Sequence, residues 1–174
     1  MASLASRITN DFAPLNISAL ASVNGSSTIQ CWQLAAVPVE ARSALNFELG
    51  NTTEATWSII QPQTVVGEAW APAVQLTMVM NGMIHVSAPA AQHTGYSSTK
   101  EGSNVVGAVP PVQGYFVPGT LSSSVLIAAD LKATSNIAGH FTEFPGNEPT
   151  VLVQIPFVNN EPPKHTVLYD GQCK

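Results

Sequence analysis

Apolar and polar residues alternate along much of the chain with the two-residue period that is typical of β-strands. Eight runs with this pattern are predicted as strands, at residues 29–34, 45–49, 56–60, 74–80, 83–87, 125–129, 151–155 and 166–169. Clusters of Pro, Gly and Ser separate the runs and predict turns, since these residues interrupt regular structure. The pattern therefore predicts one all-β domain over residues 29–174, preceded by an N-terminal arm over residues 1–28.

Three segments depart from this alternation. Residues 3–12 and 39–44 are predicted as short helices, neither of them long enough to form a layer of the fold. Residues 90–119 are polar and Gly-rich with few strand signals, which predicts a long loop.

The sequence Met-Asn-Gly-Met at residues 80–83 is the strongest local turn signal, because Asn-Gly favours a two-residue type I′ hairpin turn. A hairpin here places Gln75, Thr77 and Val79 on one face of the sheet, and both faces are partly apolar. Such strands are expected where one face lines the interior of a barrel or sandwich. The other face then packs against another sheet or a second subunit, so a homodimer is one alternative.

Charge and composition exclude two classes of partner. Only 10% of the residues are charged, the net charge is −5, and the six Lys and Arg residues are scattered, which leaves no basic stripe for phosphates. Nucleic acid is therefore not an expected partner. A membrane is not expected either, since the sequence has no run of about 18 apolar residues.

Three glycosylation sequons begin at Asn16, Asn24 and Asn51 and favour a secreted protein, although short motifs of this kind also arise by chance. Residues 1–22 contain no apolar segment typical of signal peptides. The secretion hypothesis therefore assumes that a signal peptide is left out of this sequence.

The chain has two cysteines, Cys31 and Cys173. In an oxidising compartment we expect them to form a disulfide that ties the two ends of the domain together. The alternative is a pair of unrelated thiols.

Several short segments together resemble a family of small secreted fungal proteins with a cupin-like fold. They are Cys31-Trp32-Gln33-Leu34, residues 82–89, Ala128-Ala129-Asp130, Gly139-His140, Gln154-Ile155-Pro156, and His165 to Leu168 with Cys173. The resemblance implies a secreted cupin-like jelly roll with an end-to-end disulfide. Activity in that family is largely unassigned, so the resemblance implies fold and compartment more than function.

Cupins permit a test for a metal site, because their first motif has two His and one Glu at fixed spacing before a turn glycine. With that glycine at Gly82, Gln75 falls on the Glu position, and Glu68 and Trp70 fall on the His positions. Glutamine is a weak ligand and an indole N–H cannot ligate a metal. We therefore predict no metal and no other cofactor. His140 is placed in the second motif by the strand that follows it.

The site hypothesis follows from strand parity together with cupin geometry, which turns the face of Gln75 and Thr77 inward. Mixed apolar and polar linings are typical of small-molecule sites. The predicted lining for a small apolar molecule is Trp70, Gln75, Thr77, Tyr115 and Phe141, and His140 with Glu68 is predicted to transfer protons. Structural roles are the simpler interpretation of all four histidines: His85 as a hydrogen-bonded sheet residue, His140 as a strand-entry residue, and His93 and His165 as exposed loop residues.

Two classes of function follow. The first is a cofactor-free binder or enzyme, such as a cyclase or isomerase of a secondary-metabolite intermediate, because such reactions need few catalytic groups. The second is a secreted interaction protein, an effector or wall-associated module, that acts through its surface without catalysis.

Overall fold

Strands account for nearly all regular structure in the computed structural model, which describes residues 13–41, 43–90, 110–120 and 122–174. The thirteen strands are β1 (Asn16–Val23), β2 (Ser26–Leu34), β3 (Val39–Ala41), β4 (Ala44–Asn46), β5 (Thr56–Ile60), β6 (Thr64–Ala69), β7 (Gln75–Asn81), β8 (Ile84–Ala88), β9 (Val112–Phe116), β10 (Val125–Ala128), β11 (His140–Phe144), β12 (Thr150–Pro156) and β13 (His165–Asp170). Within the described ranges the only helix is a single 3₁₀ turn at Val158–Asn160.

The strands form a β-sandwich of two main sheets. The large sheet has seven strands in the order β13-β2-β1-β10-β7-β12-β5, and only β1 and β10 run parallel. The small sheet has four antiparallel strands in the order β6-β11-β8-β9, and β3 pairs with β4 in a separate hairpin. The predicted all-β class is confirmed, whereas the cupin-like jelly roll stays a prediction.

The main core lies between the two sheets and follows from the alternation of the strands. Leu20 and Ile29 of the large sheet pack there with Val86 and Phe116 of the small sheet, and all four are buried. Gln75, Thr77 and Val79 are on the same inward face and are also buried, so the predicted parity of β7 is confirmed.

The opposite face of the large sheet carries a second apolar cluster. Its centre is Trp32, Leu76 and Ile127, covered by Phe157 and the partly buried Leu49. This second layer explains why the strands of the large sheet are apolar on both faces.

The predicted hairpin at residues 80–83 is wrong. β7 pairs with β10 and β12 in the large sheet, whereas β8 pairs with β9 and β11 in the small one, so the chain changes sheets here. Gly82 has φ +79° and lies so close to Thr150 that a Cβ would be 2.4 Å from the Thr150 Oγ1. Asn81 donates its side-chain N–H to the Pro149 carbonyl at 2.8 Å and does not have the positive φ that a type I′ turn requires.

Three further boundaries differ from the sequence predictions. The part of the N-terminal arm from Asn16 onward belongs to the large sheet, because β1 and β2 form a hairpin there. Of the predicted helix at 39–44, the described residues 39–41, 43 and 44 are not helical, since Ala41 pairs with Ala44 and Ser43 has φ 62°. Residues 112–116, predicted as loop, form the edge strand β9. The predicted helix at 3–12 and residues 91–109 of the predicted loop lie outside the described residues.

The predicted disulfide between Cys31 and Cys173 is confirmed, and it is buried in the sandwich. The backbone N–H of Cys173 donates to the Ser18 Oγ at 2.9 Å, which holds the C-terminal segment against β1. The three sequon asparagines Asn16, Asn24 and Asn51 are exposed, and Asn24 lies in the β1–β2 turn.

Candidate functional site

A cavity of about 130 Å³ lies between the two sheets. Leu126, Ala128 and Leu152 of the large sheet and Ile84, Val86 and Phe144 of the small sheet supply apolar walls, and Trp70, Gln75, Thr77, His140, Thr142 and Gln154 complete the lining with Leu20, Ala71 and Pro72. The structure therefore brings together Trp70, Gln75, Thr77 and His140 from the predicted site.

His140 is held by a buried carboxylate. Its Nδ1 lies 2.5 Å from Oδ2 of Asp130, which is fully buried, and the Ser27 hydroxyl donates to the same oxygen at 2.6 Å. A carboxylate at Nδ1 favours a proton on that nitrogen, which leaves Nε2 of the neutral ring as an acceptor. The pair has the orientation of an Asp–His dyad whose reactive nitrogen is Nε2.

Polar atoms in the cavity lack protein partners. Among the described residues, neither the Nε2 of His140 nor the side chains of Gln75 and Thr77 have a hydrogen-bond partner, although each residue is only 5–7% exposed. The fully enclosed polar atoms without a partner in the same ranges are Thr28 Oγ1, His85 Nε2 and Asp130 Oδ1, so the polar atoms of Gln75, Thr77 and His140 keep some accessible surface. Gln154 accepts from Ser58 Oγ at 2.9 Å, and its amide N–H groups are unpaired within the same ranges. Buried polar groups cost free energy unless they are satisfied, so this lining favours occupation by a polar molecule.

Trp70 contributes an apolar wall. Its indole N–H donates to the Ser135 carbonyl at 2.7 Å, and the Lys132 Nζ lies 4.7 Å from the ring centroid. Gly139 permits the close approach of this ring, because a Cβ there would lie 2.8 Å from Trp70 Cε2. The indole N–H, committed to Ser135, is not free to bind a ligand.

Three predicted site residues face away from the cavity. Glu68 is exposed, accepts a hydrogen bond from the Gly139 backbone N–H at 2.9 Å, and is paired in register with Phe141 on the outer face. Phe141 and Tyr115 are each 50% exposed. The physical reason is strand parity, since the direct neighbours of inward-facing Ala69, His140 and Phe116 must point outward. The predicted proton-transfer pair of Glu68 and His140 is therefore wrong.

The other histidines have structural contacts. His85 lies 3.2 Å from Glu143 Oε2 through Nδ1 and stacks on Tyr115. His165 is half-buried at the start of β13 and stacks on Trp32 with ring centroids 3.5 Å apart, so its prediction as an exposed loop residue is wrong. His93 lies outside the described residues.

Sequence analysis missed Asp130, Thr142 and Gln154. Thr142 follows from strand parity, since it lies two residues after His140. Gln154 is a polar residue in the otherwise apolar run at 151–155, which is the signal that could have identified it. Asp130 follows a predicted strand, and its contact with His140 brings the segment after β10 to the start of β11. No local sequence pattern relates these two positions.

The described ranges contain no group of three or more His, Cys, Asp or Glu side chains that could hold a metal ion. In the same ranges, no helix is long and apolar enough to cross a membrane.

No family model, curated protein or solved structure matches this chain.

Proposed function

We propose that this protein binds a small molecule between its two sheets without a metal and that His140 transfers protons to or from the ligand, as in an isomerase or cyclase. The observation that carries the proposal is the Nε2 of His140, which borders the cavity without a partner among the described residues, across the ring from the Nδ1 held by Asp130. A general base needs a nitrogen within hydrogen-bond reach of the substrate proton, and the Nε2 of His140 is such a nitrogen at the cavity wall.

The dyad supports proton transfer in both directions. As Nε2 takes a proton, the ring becomes positively charged, and the adjacent Asp130 carboxylate stabilises that charge. The buried Ser27 hydroxyl holds the carboxylate in place, so the ring keeps one orientation during the transfer. The apolar walls lower the polarity around the dyad and strengthen these interactions.

Cyclohex-3-en-1-one is a suitable minimal probe of proton transfer, because its seven non-hydrogen atoms match the small cavity and its acidic C–H group can face Nε2 in place of a hydroxyl or N–H group. Its isomerisation to cyclohex-2-en-1-one requires a base to remove a proton from the carbon between the carbonyl and the alkene, giving a dienolate and a protonated base. The same nitrogen then returns the proton to the far carbon of the former alkene, so no proton is gained or lost overall. Absorbance of the conjugated product measures the rate.

We expect the wild-type protein to accelerate this reaction and His140→Ala to lower the rate by about 10²- to 10⁴-fold, the usual contribution of a positioned acid–base group. Trp70→Ala is expected to weaken binding of the probe, because it removes the apolar wall. His165→Ala is the control, since that ring contacts Trp32 on the opposite face of the large sheet. Equal rates for wild type and His140→Ala would contradict the role of His140.

Secretion is part of the proposal. The disulfide between Cys31 and Cys173 and the exposed position of all three sequon asparagines support passage through an oxidising, glycosylating compartment. Mobility on a gel before and after enzymatic removal of N-glycans tests this in protein secreted from a eukaryotic host. A change in mobility is expected, and its loss in a variant with Asn16→Gln, Asn24→Gln and Asn51→Gln shows that the glycans are on these sequons.

A secreted interaction protein without catalysis is the second candidate, favoured by the edges of the two sheets. β5 and β6 are edge strands whose exposed side chains include Trp57, Ile59 and Val65, and residues 56–66 contain no charged residue. Natural edge strands usually carry charges that prevent pairing. A second copy pairing here would make wild-type protein dimeric by sedimentation velocity, and Ile59→Lys with Val65→Lys would make it monomeric.

A further inference from the structure

The cavity lining also restricts the ligand, on the basis of the function proposed above. We infer that the ligand is a neutral molecule of about six to nine non-hydrogen atoms with polar groups at two opposite ends, the one at His140 being a hydrogen-bond donor. Size, charge and the positions of the polar side chains each contribute one part of this inference.

The size of the ligand is limited by the volume of the cavity. The cavity of about 130 Å³ is slightly smaller than the engineered cavities of about 150 Å³ that bind benzene. Pockets for drug-sized molecules measure about 300–1,000 Å³. A single small ring with short substituents therefore fits between the sheets, and a fused polycyclic molecule does not.

The charge of the ligand is restricted by the side chains that line the cavity. None of the described lining residues is Asp, Glu, Lys or Arg. Asp130 is not part of the lining, and its Oδ2 is engaged by His140 and Ser27 on the far side of the imidazole, whereas its buried Oδ1 has no partner among the described residues. An ionised ligand would lose its hydration without gaining an opposite charge, which is costly in an apolar enclosure. A neutral ligand avoids this cost.

The polar side chains form two groups that face each other across the sandwich. His140 and Thr142 project from β11 of the small sheet, whereas Gln75 and Thr77 project from β7 of the large sheet. Gln154 on β12 is in register with Thr77 and extends the second group. A ligand that satisfies both groups must carry a polar atom at each end.

The hydrogen-bonding role of the ligand is determined at the end that contacts His140. Because Asp130 favours a proton on Nδ1 of His140, Nε2 accepts hydrogen bonds in the neutral ring, and the ligand must donate to it through a hydroxyl or an N–H group. At the other end, the Gln75 amide and the Thr77 hydroxyl both donate and accept, so a hydroxyl or a carbonyl is accommodated.

Four probes separate these requirements in an NMR titration of the full chain, recorded anaerobically: hydroquinone with two opposite hydroxyls, phenol with one, toluene with none, and benzoate with a charge. Chemical shifts of the methyl groups of Val86, Leu126 and Leu152 report binding in the cavity. We expect hydroquinone to bind more tightly than phenol, phenol more tightly than toluene, and benzoate not to bind.

Substitutions assign each hydroxyl to one end of the cavity. Gln75→Leu is expected to lower the affinity for hydroquinone by about two- to twelvefold, which is the contribution of one hydrogen bond, and to leave the affinity for toluene unchanged. Gln113→Leu is the matched control, because Gln113 is exposed on β9 and outside this cavity. His140→Ala is expected to reduce hydroquinone and phenol binding and to leave toluene binding intact.

Each result decides one part of the account. Equal affinities for hydroquinone and toluene, or binding of benzoate in the cavity, would overturn the inferred ligand class. If 4-phenylphenol, with two rings, binds there with the same dependence on His140, the size limit fails and the proposed function stands. If no probe moves the cavity methyl signals, both the ligand class and the proposed binding function fail.

Discussion

His140 has two ring nitrogens, and the surrounding residues give them different roles. Nδ1 is engaged by buried Asp130 at 2.5 Å, whereas Nε2 has no partner among the described residues and borders the cavity. The second histidine with a carboxylate at Nδ1 is His85, but its ring lies on the outer face of the small sheet beside Tyr115. Among the histidines that the structure describes, only His140 combines a carboxylate partner with access to the sandwich interior.

Removing the carboxylate should change the position of the ring proton. In wild-type protein at about pH 8, where an ordinary histidine is neutral, long-range ¹H–¹⁵N NMR should show His140 with its proton on Nδ1. Asp130→Ala should shift the proton toward Nε2 and lower stability by about 1–3 kcal/mol, because His140 and Ser27 lose a shared buried acceptor.

Glu143→Ala is the matched control, since it removes the carboxylate of the other His–carboxylate pair. It should alter the His85 signals and leave those of His140 unchanged. A wild-type His140 with its proton already on Nε2 would show that Asp130 does not select the tautomer.

At the scale of secondary structure, strand parity was the most informative feature of the sequence. It correctly predicted that Gln75 and Thr77 face inward. The same rule applied to β11 would have excluded Phe141 from the cavity lining and selected Thr142. The all-β class could also be predicted from the sequence. The Asn-Gly turn was misassigned because local turn preference cannot distinguish a hairpin from a corner at which the chain changes sheets.

The Asp130–His140 contact could not be predicted for a related reason. The two residues belong to segments that meet only after β10 and β11 have been placed in different sheets. Short-range periodicity contains no information on that placement, so the predicted partner of His140 was the wrong carboxylate, Glu68.

Gly139 tests how closely β11 must approach β6 to build the cavity. In Gly139→Ala the new Cβ would lie 2.4 Å from the Ala69 carbonyl oxygen and 2.8 Å from Trp70 Cε2, so backbone must move. Chemical denaturation should show a loss of about 1–3 kcal/mol, the usual cost of overpacking, and the fluorescence of Trp70 should change.

Gly146→Ala provides the comparison for that substitution. The nearest atom to its Cβ would lie 3.5 Å away, which is ordinary contact, and we expect a change within about 0.5 kcal/mol. Similar stabilities for the two variants would contradict the tight approach of β11 to the segment at Ala69 and Trp70.

For the whole molecule, the C-terminal segment joins the two sheets. Cys173 is bonded to Cys31 of β2, and the Gln172 side chain pairs with both backbone groups of Tyr115 on β9, at 2.9 and 2.7 Å. One side of the sandwich is thereby closed between the edge strand β9 and the large sheet. The opposite edges, β5 and β6, carry the exposed apolar side chains described above.

Replacing both cysteines should lower stability substantially. The disulfide joins residues 142 positions apart, and by a chain-entropy model such a loop restricts the unfolded state by about 4–5 kcal/mol. Cys31→Ala with Cys173→Ala should therefore reduce the free energy of unfolding by about 2–5 kcal/mol in urea titrations. Mass spectrometry of non-reduced peptides should find the cross-link in wild-type protein, and free-thiol labelling of both residues in the folded state would contradict it.

A crystal structure of the wild-type protein soaked with phenol tests most directly whether the cavity at His140 is a ligand site. We expect the phenol ring between the sheets against Trp70, with its hydroxyl oxygen about 2.6–3.2 Å from the His140 Nε2. A cavity that holds only ordered water, or a phenol whose hydroxyl points away from His140, would contradict it.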